Sequence, residues 1–226
     1  MVERWIAFLL TSHDLTDFEV VVCNDGSRDD TGKILDALAR RHPYLRPIHH
    51  DVNQGAAAAL ATAIAHSTGD WILLLDADGQ FPIENWPRLW NAVSESGADA
   101  AVGFRRKKED SPFARFGSWA SGFLCGFIYR RRLQDFNSAL KLVRGPLLRS
   151  LHLEAKGLNY STEISAKLLE LGPAVKVVET EALNEPRRWG RSSRSLVRSA
   201  WHRFLFVGYL AYRRFLQSQK VLKTQR

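Results

Sequence analysis

The chain has 226 residues but only two cysteines, one methionine and eight prolines. Cys23 and Cys125 stand far apart in apolar surroundings, with no metal-ligand spacing. That excludes a disulfide framework and a cysteine-based metal site, and predicts reduced thiols in a cytosolic setting. No uncharged run reaches the ~20 residues that cross a bilayer, so no transmembrane helix is expected. The start, "MVERWIAFLLTSHD", places Glu3, Arg4 and Trp5 ahead of a short apolar patch, which is not the layout of a signal peptide. Repeats, low-complexity tracts and linkers are also lacking, so residues 1–226 read as one domain.

Acid is missing from one region in particular. No Asp or Glu follows Glu185, whereas arginines and lysines continue from Arg187 to Arg226, and "RRKK" forms a second basic cluster at Arg105–Lys108. The net charge is +8. Such asymmetry points to an anionic partner: phosphates, a membrane surface or nucleic acid. The remaining composition, 45% hydrophobic and 25% charged, suits a globular domain with a real core.

Apolar runs bounded by turn residues alternate with helical patterns. Strands are expected at "FEVVVC" (Phe18–Cys23), "LRPIHH", "WILLL", "ADAAVGF", "ALKLV" and "AVKVVE". Helices are expected from the "NDGSRDDTG" turn through about Arg41, at "GAAAALATAIAHS", near Asn85–Ser94, near Pro146–Leu151 and at Ser161–Leu171. The alternation predicts an α/β domain with a doubly wound, mostly parallel sheet. Phe113, Phe116, Ala120, Phe123, Leu124, Phe127 and Ile128 recur at helical spacing, bracketed by arginines. A second basic amphipathic helix is expected over residues 196–219. Such helices pack into a core or lie in a membrane interface.

"WILLLDADGQFP" ends an apolar strand in two aspartates. In extended chain Asp76 and Asp78 point the same way, with Gln80 at the next same-side position. Ligands of open α/β sheets bind at the carboxyl ends of strands. Mg²⁺ or Mn²⁺ held by carboxylates and phosphate oxygens is one explanation, and a capped turn is the other. Asp29, Asp30 and Thr31 are accounted for as helix caps. Asn24 and Asp25 are not, and could reach a base or ribose. "NQG" (Asn53–Gly55) opens a helix whose backbone amides could approach a phosphate.

Taken in order, "NDGSRDDT", "NQGAAAAL" and "DADGQ" resemble the family 2 glycosyltransferases of GT-A fold. "DFNSALKLVRGPLL", "YSTEISAKLLELG", "VKVVE" and "PRRWGRSS" look like the dolichol-phosphate mannose synthase branch and its bacterial polyprenyl-phosphate relatives. The resemblance implies that Asp76, Asp78 and Gln80 hold a divalent metal against the diphosphate of a nucleotide sugar, with Asp78 at the reacting centre. It implies Asn24 and Asp25 at the nucleoside, and Asn53 and Gly55 lining the donor pocket. Arg105, Arg144, Arg187, Arg191 and Ser193 become candidates for the acceptor phosphate, with Asp135 and Asn137 on the sugar side. The expected reaction is metal-dependent, inverting transfer to a polyprenyl phosphate by a protein peripheral on the cytoplasmic face of a membrane.

Two features bear on that expectation. A phosphate acceptor is already anionic and needs no carboxylate base, and no Glu-Asp pair follows the metal motif. The family's usual first strand, ending in Pro-x-Tyr-Asn-Glu, is not seen; the chain starts with what looks like the helix after it. A missing central strand predicts open sheet edges, and a fragment or catalytically inactive, membrane-associated scaffold is the alternative reading. "EPRRW" approaches the Gln-x-x-Arg-Trp signature of polysaccharide synthases, a further alternative. Nucleic acid is not expected as a partner, since no groove-reading motif is present.

Overall fold

A computed structural model describes residues 1–106, 112–131, 133–154, 159–185 and 205–214; of these, residues 112–118 and 121 are described for backbone alone. The element order is α1 (Val2–Leu10), β1 (Val20–Asp25), α2 (Thr31–Arg41), β2 (Leu45–His50), α3 (Ala56–His66), β3 (Trp71–Leu74), α4 (Trp86–Ser96), β4 (Ala100–Phe104), α5 (Pro112–Tyr129), β5 (Lys141–Arg144), α6 (Gly145–Ser150), α7 (Tyr160–Glu170) and β6 (Val177–Glu181). A helical segment at 205–214, here α8, follows. Every strand and helix expected within the described residues is present, with ends shifted by a few residues. The rest of the expected 196–219 helix, and Arg187, Arg191 and Ser193, lie outside the described residues.

The sheet is split. β1 pairs with β2 in parallel, and a second sheet has the order β3-β5-β4-β6. β4 and β6 are parallel, but β5 runs antiparallel to both β3 and β4, so the second sheet is mixed. One helical layer contributes Ala57, Ile64, Ile164 and Leu168 to a core against Leu74, Ala100 and Val143. The other contributes Trp86, Leu89 and Val93 against Ala101, Leu140 and Leu142. Helices therefore cover both faces, which is why β4 is apolar throughout and Leu142 and Val143 fill the middle of β5.

β1 and β3 are the facing inner edges, and they are not paired with each other. Their apolar side chains still meet in one core: Val20 and Val22 pack with Leu73 and Leu75 beneath Trp5 and Ile6 of α1. Glu19, just before β1, spans the gap. One carboxylate oxygen accepts from the Thr68 amide at 2.5 Å, the Thr68 hydroxyl at 2.8 Å and the Gly69 amide at 3.2 Å. The other accepts from Arg46 at 2.6 Å. Glu19 thus offers the amides before β3 the acceptor that a neighbouring strand's carbonyl would have supplied.

The two amphipathic segments pack partly as expected. Cys125 and Tyr129 of α5 join Ala166, Leu169, Val207 and Leu210 in a shared core, fixing α8 against α5 and α7. Phe123 and Phe127, taken from the sequence as part of one apolar stripe, point outward with Trp119. The inward side of α5 is rotated toward Leu124, Cys125, Ile128 and Tyr129. Two C-terminal arginines are docking groups: Arg213 bonds Glu154 at 2.9 Å and Arg214 lies over the Tyr129 ring. Both cysteines are unbridged, Cys125 buried and Cys23 half-buried.

Two outcomes follow. Deuterium exchange is expected to be much faster in peptides covering β1 than in peptides covering β5, which is bonded on both sides; equal protection would mean the gap is closed in solution. Burial raises the Glu19 carboxyl, but the Thr68, Arg46 and Gly69 donors outweigh this and hold it below its ordinary value. Its stabilisation is therefore complete above the unfolded carboxyl range and lost as pH falls through the folded value. Urea unfolding of Glu19→Gln is expected to show a loss of about 1–2 kcal/mol at neutral pH, shrinking below about pH 4.

Candidate functional site

The reversal of β5 builds the site. Asp76 and Asp78 follow β3, and Arg105 follows β4, so all three leave the carboxyl ends of their strands. Because β5 is antiparallel, the turn that precedes it, Asp135–Ser138, arrives at the same end of the sheet. Asp135 is 1% exposed, and its Oδ2 accepts from Arg105 Nε at 2.8 Å. The Arg105 guanidinium also lies over the Phe81 ring, 5.8 Å from its centre. Glu179 of β6 fixes the backbone here, accepting from the Gln134 amide at 2.7 Å; burial raises its carboxyl above the ordinary value.

The first turns of α7 supply the floor. Tyr160 donates to Asp76 Oδ1 at 2.7 Å. Burial first, and the Asp76 charge second, push the Tyr160 phenol up, so it stays a donor. Ser161 bonds the Asn137 carbonyl at 2.9 Å, Thr162 the Asn137 side chain at 2.6 Å, and Ser165 the Phe136 carbonyl at 2.9 Å. Hydroxyls at these positions explain how α7 is buried along nearly its whole length while carrying "STEIS": each one satisfies a turn carbonyl or amide. Lys141 is fully buried at the start of β5 and donates to the Ser138 carbonyl and the Ser161 hydroxyl. Burial pushes its pKa down to about 7, against the pull of Asp135 and Asp76.

The residues around Asn24 form an adjoining cluster at the end of β1. Asp25 accepts from the Gln54 amide at 2.8 Å, the Gly55 amide at 2.7 Å and His50 Nδ1 at 2.9 Å. Burial raises this carboxyl, yet the Gln54, His50 and Gly55 donors hold it below the usual range. Asn53 donates to the Asp25 carbonyl at 2.9 Å. Asn24 is buried, its Oδ1 accepting from the Ser27 amide and its amide nitrogen meeting His49. Gly26 has φ +64°, and a Cβ there would come within 2.6 Å of Val52 and Asn53 backbone atoms, so this turn requires glycine. Asn24, Asp25, Asn53 and Gly55 are thus brought together, with the Asp25 carboxylate holding the loop that opens α3. Ala57, in the first turn of α3, shares a core with Leu74 and Tyr160, which sets this loop beside the aspartates.

Arg144 is not brought to the site. It pairs in register with Trp71, at the start of β3, whereas Asp76 follows the strand's other end. It bonds Asp99 at 3.0 Å and lies over the Trp71 ring, 4.9 Å from its centre. The reason is the direction of β5, which carries its last residue away from the carboxyl ends of β3 and β4.

Could Asp76 and Asp78 hold a divalent ion? The donor set is two carboxylates, and Asp78 Oδ1 also accepts from the Gln80 amide at 3.0 Å, an Asx turn that fixes its side chain. Among the described residues no cluster of three or more His, Cys, Asp or Glu exists. Two hard oxygen donors fit Mg²⁺ or Mn²⁺, which take few protein carboxylates and complete their shell with phosphate oxygens and water. The metal and capped-turn explanations of the aspartates are thus compatible.

A profile of glycosyl transferase family 2 matches residues 1–150. The chain belongs to this family. A dolichyl-phosphate β-glucosyltransferase of Trichomonas vaginalis is 39% identical over 72 residues, 32% of this chain and 21% of that protein. An undecaprenyl-phosphate 4-deoxy-4-formamido-L-arabinose transferase of Pseudomonas savastanoi is 39% identical over 103 residues, 45% of this chain and 30% of that one. A dodecaprenyl-phosphate galacturonate synthase of Rhizobium johnstonii is 25% identical over 186 residues, 80% and 54%. The chain therefore spans between about a fifth and about half of these relatives. Mannosyl-3-phosphoglycerate synthase of Rubrobacter xylanophilus superposes with a TM-score of 0.69 at 18% identity, covering 97% of this chain and 69% of that one. Glucosyl-3-phosphoglycerate synthase of Mycobacterium tuberculosis, crystallised with Mn²⁺, UDP-glucose and glycerol 3-phosphate, gives 0.61 at 18%, covering 94% and 75%. The fold is that of these GT-A enzymes.

Tyr160, Lys141, Glu179 and His50 had no role in the sequence reading. A signal existed for Lys141: a lysine in the middle of "ALKLV" is out of place in a buried strand.

Removing Arg105 takes a charge-assisted hydrogen bond from the buried Asp135, so Arg105→Ala is expected to lose about 1.5–3 kcal/mol in denaturant unfolding. Adding Asp135→Asn should recover part of that loss; no recovery would show that the pair does not carry the effect.

Proposed function

We propose that this protein transfers a sugar, with inversion, from a nucleoside diphosphate sugar to a polyprenyl phosphate. The observation that carries this reading is the convergence of Asp76 and Asp78 with the half-buried Arg105, held by the buried Asp135, at one end of the sheet. The three relatives described above, each a sugar transferase or synthase of a polyprenyl phosphate, supply the acceptor class.

Asp76, oriented by Tyr160, and Asp78, oriented by its own turn, would hold the divalent ion, with Gln80 beside them. When bound, the ion supplies positive charge to the leaving diphosphate. The Mn²⁺ in a GT-A neighbour supports that choice of metal. The turn made by Asn24 and Asp25, and the loop at Asn53 and Gly55, line the nucleoside side. Asp135 holds Arg105 in place, and the guanidinium receives the acceptor phosphate. Asn137 and Asp135 face the sugar. A phosphate monoester carries about −1.5 to −2 charge at neutral pH and attacks the anomeric carbon without a general base. Arg187, Arg191 and Ser193 are assigned to the same acceptor on the resemblance alone.

Such an acceptor lives in a membrane, and the exterior of α5 suits one. Trp119, Phe123 and Phe127 recur at four-residue spacing and are 53–79% exposed, with Leu205, Tyr209 and Tyr212 of α8 also exposed. No helix among the described residues is long and apolar enough to cross a bilayer. We read the protein as peripheral, on the cytoplasmic face, with this aromatic surface and the basic segments against anionic lipid. The split sheet favours a second reading, a non-catalytic membrane-bound member of the family.

Vesicles carrying polyprenyl phosphate, incubated with radiolabelled GDP- or UDP-sugars and Mn²⁺, are expected to yield labelled lipid. Asp78→Ala should lower the rate at least a hundredfold. Donor binding without any labelled lipid would favour the non-catalytic reading. In flotation with anionic vesicles, Trp119→Ala/Phe123→Ala/Phe127→Ala is expected to stay in the soluble fraction while the unmodified chain floats; flotation of both would sink the assignment of this surface.

A further inference from the structure

Among the described residues, Lys141 is a buried cation whose strand lies between β3, which leads to Asp76, and β4, which leads to Arg105. In register it lies opposite Leu74, two residues before Asp76, and opposite Val102, three residues before Arg105. It is completely buried, and its ammonium donates to the Ser138 carbonyl, in the turn that carries Asp135, and to the Ser161 hydroxyl, next to Tyr160. The charges of Asp135 and Asp76 favour its protonated form, and that of Arg105 opposes it. Burying an ammonium is costly, and a neutral side chain of similar length would pack the same strand position without that cost. Its hydrogen bonds go to neutral oxygens that Ser161 already serves in part, since the Ser161 hydroxyl also contacts the Asn137 and Ser138 carbonyls. The charge itself is therefore what distinguishes Lys141 from an apolar residue here.

We propose that Lys141 is a positioning residue whose buried charge, beneath Asp76 and Asp135, weakens binding of a bare divalent cation and favours its arrival together with an anionic diphosphate. In the empty site the ammonium offsets the two carboxylates. A divalent ion entering alone while the lysine is protonated meets that positive charge, whereas the diphosphate of a donor is attracted by it. The site is thus biased toward taking metal and donor as one complex. This rests on the metal reading of Asp76 and Asp78.

The test is a Mn²⁺ titration followed by electron paramagnetic resonance at pH 6.5, with and without GDP or UDP, for the unmodified chain, Lys141→Met and Lys141→Arg. Lys141→Met is expected to bind Mn²⁺ alone on the order of tenfold more tightly, and the tightening caused by nucleotide should shrink by a similar factor. Lys141→Arg, which keeps the charge, should match the unmodified chain. A purely structural role predicts the opposite sign, weaker binding in Lys141→Met. Equal or weaker Mn²⁺ binding by a folded Lys141→Met overturns the proposal. If that variant does not fold, Lys141→Gln, which keeps a donor for the Ser138 carbonyl, carries the same comparison. No Mn²⁺ binding by any of these proteins overturns the metal reading, and this proposal with it.

Discussion

The direction of one short strand decides what this chain can do. β5 lies between β3 and β4 and opposes both. Ladder pairing on both sides fixes its register, and Lys141, Leu142 and Val143 are buried while Arg144 is exposed. Reversed, it delivers the turn before it to the place where β3 and β4 release Asp76 and Arg105. Were it parallel, Asp135 would lie at the far end, and Arg105 would be a lone cation next to an aromatic ring. The same reversal removes Arg144 from the site and makes it a partner of Asp99 instead. A parallel strand flanked by parallel neighbours collects residues only from the segments that follow strands. One antiparallel strand adds a segment that precedes one.

The rest of the site is built by satisfying polar groups that this arrangement buries. Ser161, Thr162 and Ser165 of α7 bond the carbonyls and side chain of the Phe136–Ser138 turn, and Glu179 takes the amide in front of it. Tyr160 orients Asp76 from the same helix start. On the other side of the gap, Asp25 holds two loop amides and His50, while Glu19 ties β1 to the residues before β3. The Asp25 and Glu19 contacts are hydrogen bonds to carboxylates, stronger than neutral ones. The Glu19 bonds, with the core that Val20 and Val22 share with Leu73 and Leu75, keep the two parts of the sheet in one frame although no backbone ladder joins β1 to β3.

Much of the secondary structure was legible in the sequence, because helical and strand periods are local properties. "WILLL" and "GAAAALATAIAHS" needed only their apolar pattern, and "DADGQ" marked the end of a strand. The direction of β5 was not legible: "ALKLV" reads the same in either sense, so Arg144 was placed with the site when it belongs to the opposite end. The outward rotation of Phe123 and Phe127 was hidden as well. An apolar stripe wider than the core leaves its choice of inward face to the neighbours, here α7 and α8. Asn24, Asp25, Asn53 and Gly55 were gathered from the sequence, yet the loop-holding role of Asp25 depends on a contact across 30 residues.

The central claim is that Asp76 and Asp78 make this sheet end a metal-dependent site for a nucleoside diphosphate. Calorimetric titration of GDP and UDP into the chain, with and without Mn²⁺ and beside Asp78→Ala, tests it directly. The account predicts binding that requires Mn²⁺, prefers one nucleotide and disappears in the variant. Binding that is unaffected by Mn²⁺ or by the substitution would contradict it, as would no binding at all by a well-folded sample.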